Sequence, residues 1–258
     1  PPFAHATTVA EGRAFAAAHG WPLIAKTPRG GYDCRGVFPV AGEDELAALL
    51  GEVPDGLLLE PQLPLTGELA VLVARSATGE CCAYPVCETV QRDAMCREIV
   101  VPAPVDPALA AEAQALAVQI AERIGAVGIV AVELFVTPDG LLVNELALRP
   151  HNSGHWTIEG AVTSQFEQHL RAILGWPLGD PSLTAPEVAT VNVIGPADGS
   201  DPAARITGAL SVRGAHVHLY GKEARPGRKL GHVTVLGSEP GDALARARTA
   251  AARLEGAA

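Results

Sequence analysis

Two dense apolar runs, Ile129 to Val136 and Leu141 to Leu146, are separated only by Thr137-Pro138-Asp139-Gly140, and this pattern constrains the chain more than any other. The break holds the residues that turns require, and runs so rich in Val, Ile and Leu suit strands of a buried sheet, so the segment predicts a β-hairpin. Each run carries one carboxylate, Glu133 and Glu145. If the turn sets Thr137 opposite Leu141, Glu133 falls opposite Glu145 on the same face. In the alternative register it falls opposite Asn144. Cross-strand neighbours have Cβ atoms only ~4.5–5.5 Å apart, where like charges destabilise. A bound divalent cation would give the two carboxylates a reason, because Mg²⁺ takes one or two carboxylates plus phosphate oxygens and water. The competing reading places one glutamate in solvent or pairs it with an arginine such as Arg149.

Around the hairpin the pattern is α+β. Thr8 and Glu11 form a capping box for a helix over 9–19 that stops at Gly20. Strands are expected from Trp21 to Lys26, Leu57 to Glu60, Leu69 to Ser76 and Tyr84 to Glu88, with a helix from Glu43 to Leu50. Asp106-Pro107 starts the longest helix, in which Leu109, Ala113, Leu116, Ile120 and Ile124 recur at helical spacing until Gly125. Ser164 and Glu167 read as a second capping box, for a helix reaching Leu174. Strands at Val188–Ile194, Val217–Tyr220 and Val233–Leu236 and a helix from about Ala243 complete the chain.

Composition narrows the class. The 258 residues hold 19 Lys+Arg against 29 Asp+Glu, a net charge of −10, which argues against unspecific nucleic-acid binding through a basic face. With 48% hydrophobic and 19% charged residues the chain lies far from the disordered regime. The longest apolar stretch, Ala126 to Val136, is cut by Glu133 and is too short to span a bilayer, and the first residues lack a signal-peptide pattern, so a cytoplasmic protein is expected. Five cysteines (Cys34, Cys81, Cys82, Cys87, Cys96) without a C-x-x-C pair predict reduced, mostly buried thiols.

Three further segments carry chemistry. Lys26-Thr27-Pro28-Arg29-Gly30-Gly31-Tyr32-Asp33-Cys34-Arg35-Gly36 ends a strand on a lysine and continues as a glycine-rich loop. The lysine precedes the glycines, so this is not a Walker loop. Glycines still let backbone N–H groups approach phosphate oxygens while Lys26, Arg29 and Arg35 supply charge, the alternative being an exposed turn. Arg149-Pro150-His151-Asn152-Ser153-Gly154-His155 is a polar binding loop rather than a helical zinc motif, because Pro150 and Asn152-Ser153-Gly154 interrupt a helix. Lys222 to His232 is locally +4 and −1. Such a loop in an acidic chain suits one phosphate monoester, or is a solvated turn.

Together these segments resemble the N5-carboxyaminoimidazole ribonucleotide synthetase family of ATP-grasp enzymes. Gly31 to Gly36 resembles the family loop G-Y-D-G-R-G, Asn144-Glu145 through His155 resembles N-E-x-A-P-R-x-H-N-S-G-H, Ser164 to Arg171 resembles S-Q-F-E-x-H-L-R, and Tyr220 to His232 resembles Y-x-K-x-x-R-P-G-R-K-x-G-H. The resemblance implies an ATP-grasp fold divided into a lid part with its linker (1–77), a catalytic part (78–178) and a C-terminal α+β part (179–258). It implies an ATP- and Mg²⁺-dependent ligase that carboxylates 5-aminoimidazole ribonucleotide with bicarbonate, working as a homodimer. Lys26, Gly31 and Gly36 would hold ATP phosphates, Glu60, Pro61, Gln62 and Leu63 the adenine, and Glu68 the ribose. Gln91 and Asn144 would belong to the nucleotide site, and Glu133 and Glu145 would carry Mg²⁺. Tyr32, Asp33, Arg35, Arg149, His151, Asn152 and Ser153 would line the bicarbonate and imidazole pocket, with Lys222, Arg228 and Lys229 on the ribonucleotide phosphate.

Departures from the family pattern are Cys34 for glycine, Gln91 for a common histidine and Leu148 for the proline before Arg149. The family's leading nucleotide-fold domain is not in the chain, so the expectation is a partial protein that binds ATP weakly alone. Another ATP-grasp ligase, or an ATP-binding module without turnover, is the alternative.

Overall fold

The computed structural model describes residues 1–30, 36–92 and 95–256. In chain order the elements are β1 (Ala4–Ala6), α1 (Val9–His19), β2 (Leu23–Lys26), β3 (Val37–Val40), α2 (Glu43–Glu52), β4 (Leu57–Pro61), β5 (Gly67–Arg75), β6 (Cys81–Ala83), β7 (Cys87–Arg92) and β8 (Met95–Val101). There follow α3 (Pro107–Arg123), β9 (Gly128–Thr137), β10 (Gly140–Ala147), α4 (Thr157–Gly160), α5 (Gln165–Ile173), β11 (Glu187–Ile194), α6 (Ile206–Leu210), β12 (Ala215–Leu219), β13 (Lys229–Gly237) and α7 (Asp242–Glu255). The chain divides into two compact units, the first taking Pro1–Thr66 with Met95 and the hairpin tip Thr137–Leu142, the second taking the rest from Gly67 on.

In the first unit the sheet order is β1-β4-β2-β3. The capping box forms as the sequence predicts: Thr8 Oγ1 accepts from the Glu11 N–H at 3.3 Å and Glu11 Oε2 accepts from the Thr8 N–H at 3.0 Å. Leu23, Ala25, Leu57 and Leu59 alternate inward and meet Ala16 and Leu46 in the core. α1 and α2 approach closely at Gly12, where a Cβ would lie 2.2 Å from Leu46 Cδ2. The opposite sheet face carries Lys26, whose Nζ lies 2.7 Å from Glu60 Oε2. Lys26 is paired with Leu58 and Ile24 with Glu60, so this ion pair is the diagonal one across β2 and β4.

In the second unit, among the described residues, the strands run β10-β9-β5-β7-β8-β11-β13-β12 in one nine-stranded sheet, with β6 also on β5. β5 and β9 pair antiparallel through Gly67–Arg75, with Ala70 opposite Glu133. α3 buries only alanines, Ala113, Ala117 and Ala121, so small side chains set its packing face. β11 is buried along its whole length, as a strand covered on both faces must be. α7 lies on it through Ala243, Ala247, Ala250, Ala251 and Leu254.

Several elements differ from the sequence reading. Tyr84–Glu88 is not one strand: β6 stops at Ala83 and β7 starts at Cys87, with Pro85 between them removing a ladder donor. β3 and β8 have no counterpart among the expected strands. At α5 only half of a capping box forms. Ser164 Oγ accepts from the Glu167 N–H at 3.2 Å, while the Glu167 carboxylate turns to Arg171 at 2.6 Å. Among the described residues no helix is long and apolar enough to cross a membrane.

Candidate functional site

The hairpin places its carboxylates through the turn. β9 ends at Thr137 and β10 begins at Gly140, and the Thr137 hydroxyl ties the turn by donating to the Gly140 carbonyl at 3.0 Å. Asn144 is the β10 side chain that reaches Glu133, its Nδ2 donating to Oε2 at 3.4 Å. Glu145 is exposed next to it. Burial, and the neighbouring carboxylates Glu145 and Glu68, push the Glu133 pKa up to about 7, against the opposing influence of Lys229 and the Asn144 bond. Glu68 sits on β5, two residues before Ala70, the partner of Glu133. Burial raises its pKa as well, although Gln91 Nε2 donates to its Oε2 at 3.2 Å. Arg149 does not pair with either hairpin glutamate. Its guanidinium donates to the Pro150 carbonyl at 3.0 Å.

The polar loop is built on this edge. His151 Nε2 lies 3.8 Å from Glu133 Oε1, and the Ser153 N–H donates to His151 Nδ1 at 3.3 Å. Nδ1 therefore accepts and the ring proton sits on Nε2, facing the carboxylate. Beneath the loop the fully buried Cys87 thiol donates to the Ala70 carbonyl at 3.3 Å and lies 3.6 Å from the Ser153 carbonyl. Burial pushes that thiol far above its ordinary range, so it is inert packing. Cys81, Cys82 and Cys96 are only partly buried, where the sequence reading expected mostly buried thiols. Asn152 Nδ2 is a buried donor without a partner among the described residues. His155 stacks on His232 at 4.9 Å and on Phe166 at 5.9 Å.

The basic loop joins β12 to β13, at the opposite end of the strand order from β10. Lys222 Nζ stands 5.1 Å over the Tyr220 ring, and the Tyr220 hydroxyl lies 2.8 Å from His232 Nδ1. Arg228 Nη1 donates to the Glu223 carbonyl at 3.2 Å. Lys229, expected on a substrate phosphate, is close enough to Glu133 to lower its pKa. The second unit thus brings together Glu68, Gln91, Glu133, Asn144, Glu145, His151, Asn152, Ser153 and Lys229. Lys26, Glu60, Pro61, Gln62 and Leu63 belong to the first unit, where the Gln62 N–H donates to the Pro22 carbonyl at 3.1 Å. Gly36 closes its loop by accepting from the Thr27 N–H at 2.8 Å, with φ of 81°. Gly31, Tyr32, Asp33, Cys34 and Arg35 lie outside the described residues. Sequence reasoning gave no site role to Gln165, although it lies in the Ser164–Arg171 segment that resembles the family motif; it binds the polar loop at three points.

Among the described residues no group of three or more His, Cys, Asp or Glu could hold a metal ion.

A family profile described as ATP-grasp domain matches residues 1–166, and one described as phosphoribosylaminoimidazole carboxylase C-terminal domain matches residues 189–246. The chain is 49% identical over 247 residues to the N5-carboxyaminoimidazole ribonucleotide synthase of Mycobacterium tuberculosis (strain ATCC 25618 / H37Rv), covering 92% of the chain and 57% of that protein. It is 43% identical over 251 residues to the Corynebacterium ammoniagenes protein of the same name, covering 92% and 60%. The chain therefore spans less than two thirds of the length of these curated relatives. Among solved structures, the N5-carboxyaminoimidazole ribonucleotide synthetase of Thermus thermophilus superposes with a TM-score of 0.83 at 40% identity, covering 98% of the chain and 66% of that one. The Aspergillus clavatus N5-carboxyaminoimidazole synthase in complex with ADP and 5-aminoimidazole ribonucleotide gives 0.87 at 33% identity, covering 98% and 68%.

Proposed function

Because the chain belongs to the ATP-grasp family, we propose that it is the ATP-binding and carboxylating part of an N5-carboxyaminoimidazole ribonucleotide synthetase. In this reaction bicarbonate attacks the γ-phosphorus of ATP and releases ADP. The resulting carboxyphosphate gives its carbon as CO₂ to the exocyclic amine of 5-aminoimidazole ribonucleotide, with loss of phosphate and a proton. The observation that carries the reading is the Glu133 carboxylate, held beside Glu145 and Glu68 without enough positive charge to offset it, next to a loop whose Asn152 amide is a buried donor without a partner among the described residues.

Glu133 and Glu145 are the residues that would hold Mg²⁺, which when bound offsets charge on the ATP phosphates. Lys26 with Gly31 and Gly36 holds phosphate oxygens, Glu60 to Leu63 read the adenine, and Glu68, positioned by Gln91, contacts the ribose, with Asn144 completing the nucleotide site. Arg149, His151, Asn152 and Ser153, together with Tyr32, Asp33 and Arg35, receive bicarbonate and the imidazole. Asn152 Nδ2 and the His151 Nε2–H are donors suited to an anion, and Lys222, Arg228 and Lys229 bind the ribonucleotide phosphate. No protein nucleophile is needed: the residues orient two anions and exclude water from a labile intermediate.

Residues 1–77 act as lid and linker, 78–178 as the catalytic part and 179–258 as the C-terminal part. The enzyme works in the cytoplasm as a homodimer. The dimer is supported by α5, which turns Gln165, Gln168 and Ala172 inward and leaves Phe166, Leu170 and Ile173 exposed beside Leu174 and Trp176.

The test is phosphate release from Mg²⁺–ATP and bicarbonate with and without 5-aminoimidazole ribonucleotide. Release that rises with the ribonucleotide is the expected result. Release indifferent to it points to another ATP-grasp ligase, and ATP binding without release to a module incomplete alone.

A further inference from the structure

Gln165 opens α5 and is fully buried. Its side chain does nothing for the helix itself, because Ser164 supplies the cap. Instead the carboxamide faces the 149–155 loop. Oε1 accepts from the His151 N–H at 2.8 Å, and Nε2 donates to the His151 carbonyl at 2.8 Å and to His155 Nδ1 at 3.1 Å. A backbone N–H can only donate and a carbonyl only accept, so the two ends of the amide are assigned by chemistry. His155 Nδ1 is then an acceptor, and the ring proton is on Nε2. The loop wraps onto the amide at Gly154, where a Cβ would lie 2.4 Å from Gln165 Oε1 and 2.3 Å from Leu72 Cδ2. From the other side Thr157 locks the corner: its hydroxyl donates to the Gly154 carbonyl at 2.6 Å and accepts the Gln165 N–H at 2.9 Å.

We propose that Gln165 is a positioning residue for the carboxylation chemistry, its carboxamide fixing both main-chain groups of His151 and the ring of His155 so that His151, Asn152 and Ser153 are presented in one arrangement. This rests on the reading that the loop receives bicarbonate. Phosphoryl transfer to an anion gains most from donors that need not reorganise, and a buried, fully bonded amide is a way to hold a loop of small residues still. Gln165 touches no reactant. It acts through the loop.

The test uses Gln165→Glu and Gln165→Met in the whole chain. Gln165→Glu keeps the acceptor for the His151 N–H and loses both donors, so His155 Nδ1, now facing a carboxylate, gains a proton. Long-range ¹H–¹⁵N spectra of histidine-labelled protein read this directly. Wild-type His155 should show the Nε2–H tautomer at neutral pH, and Gln165→Glu should show Nδ1 protonated. Bicarbonate-dependent phosphate release should fall about tenfold or more in both variants, with Mg²⁺–ATP affinity by calorimetry within about twofold of wild type. A wild-type His155 protonated on Nδ1 overturns the proposal without any variant. So does a Gln165→Glu spectrum unchanged from wild type, or release that is unaffected although the tautomer has switched. If wild type itself releases no phosphate with bicarbonate, the proposed reaction fails, and the His155 spectra still decide whether Gln165 holds the loop.

Discussion

His151 Nε2 stands 3.8 Å from Glu133 Oε1, and on the other side of the same carboxylate Asn144 Nδ2 donates to Oε2 at 3.4 Å. Asn144 is a neutral donor, His151 stands beyond hydrogen-bond reach, and burial with the carboxylates Glu145 and Glu68 outweighs Lys229, so the ionised Glu133 is a cost to the fold. Its pKa in the folded chain lies above the usual carboxylate value, so stability is complete below about pH 4.5 and is lost as the pH rises through about 7. Glu133→Gln keeps the shape and an acceptor oxygen while removing the charge. At pH 8 it should raise metal-free stability by about 1–3 kcal/mol, and the extra protection that Mg²⁺–ATP gives wild type should disappear. Thermal melts with and without Mg²⁺–ATP check both halves, and a variant less stable than wild type in metal-free buffer contradicts the argument.

The stacked rings behind the loop make a second pH dependence of the opposite sign. Burial lowers the His155 pKa to about 4 and that of His232 to about 2. His151, His218, Lys222 and Lys229 all bear on His155, and His155 and His218 on His232. Both rings are neutral in the folded chain at pH 7. Unfolded, they take up a proton near pH 6.5. Their contribution is therefore intact above about 6.5 and is lost as the pH falls toward 4. At about 1.4 kcal/mol per pH unit, His155 alone accounts for on the order of 3 kcal/mol. Urea midpoints between pH 8 and 4.5 should fall most steeply below pH 6.5, and His155→Phe should flatten that part of the curve.

Much of this was legible because its causes are local. Thr8 with Glu11, Asp106 with Pro107, and the break between two apolar runs each specify an element within a few residues, and those elements formed. What stayed hidden depends on partners far along the chain. β3 is mostly exposed and carries Pro39, so no alternation announces it. β8 carries charge that argues against a strand, yet Glu98 is buried there because Arg248 and Arg92 reach it at 2.6 and 2.9 Å. The site shows the same division. Glu133, Glu145 and the polar loop stand out in the sequence by residue type, whereas Gln165, although inside the family-like Ser164–Arg171 segment, drew no site role, since its three loop bonds span 10 and 14 residues.

α7 depends on a cap from another element. Its N-cap residue, Gly241, has no side chain, and the Glu187 carboxylate of β11 serves instead, accepting from the Gly241 N–H at 2.7 Å and the Ala243 N–H at 3.0 Å. Without it both N–H groups would lose their acceptor, and the helix dipole favours the negative charge there. Glu187→Ala should cost about 2–3 kcal/mol, and Glu187→Gln, which keeps one acceptor, about half of that. Equal losses for the two variants in urea titrations would show that bulk and not capping matters.

In the first unit the Lys26 ammonium and the Glu60 carboxylate satisfy each other across β2 and β4 at 2.7 Å, with both side chains largely shielded. On the proposed assignment, a nucleotide phosphate competes with Glu60 for the Lys26 ammonium. Removing the lysine leaves Glu60 shielded and unpaired, which should cost about 1–3 kcal/mol of stability, and should weaken Mg²⁺–ATP binding by about tenfold or more because the phosphate loses its cation. Glu60→Gln separates the two roles. It frees Lys26 from its partner, so phosphate contact should strengthen or hold while adenine selectivity falls, and ATP should lose its advantage over GTP. Competition binding of the two nucleotides to wild type, Lys26→Met and Glu60→Gln measures all three effects. Unchanged ATP affinity in Lys26→Met would confine the pair to holding the sheet together.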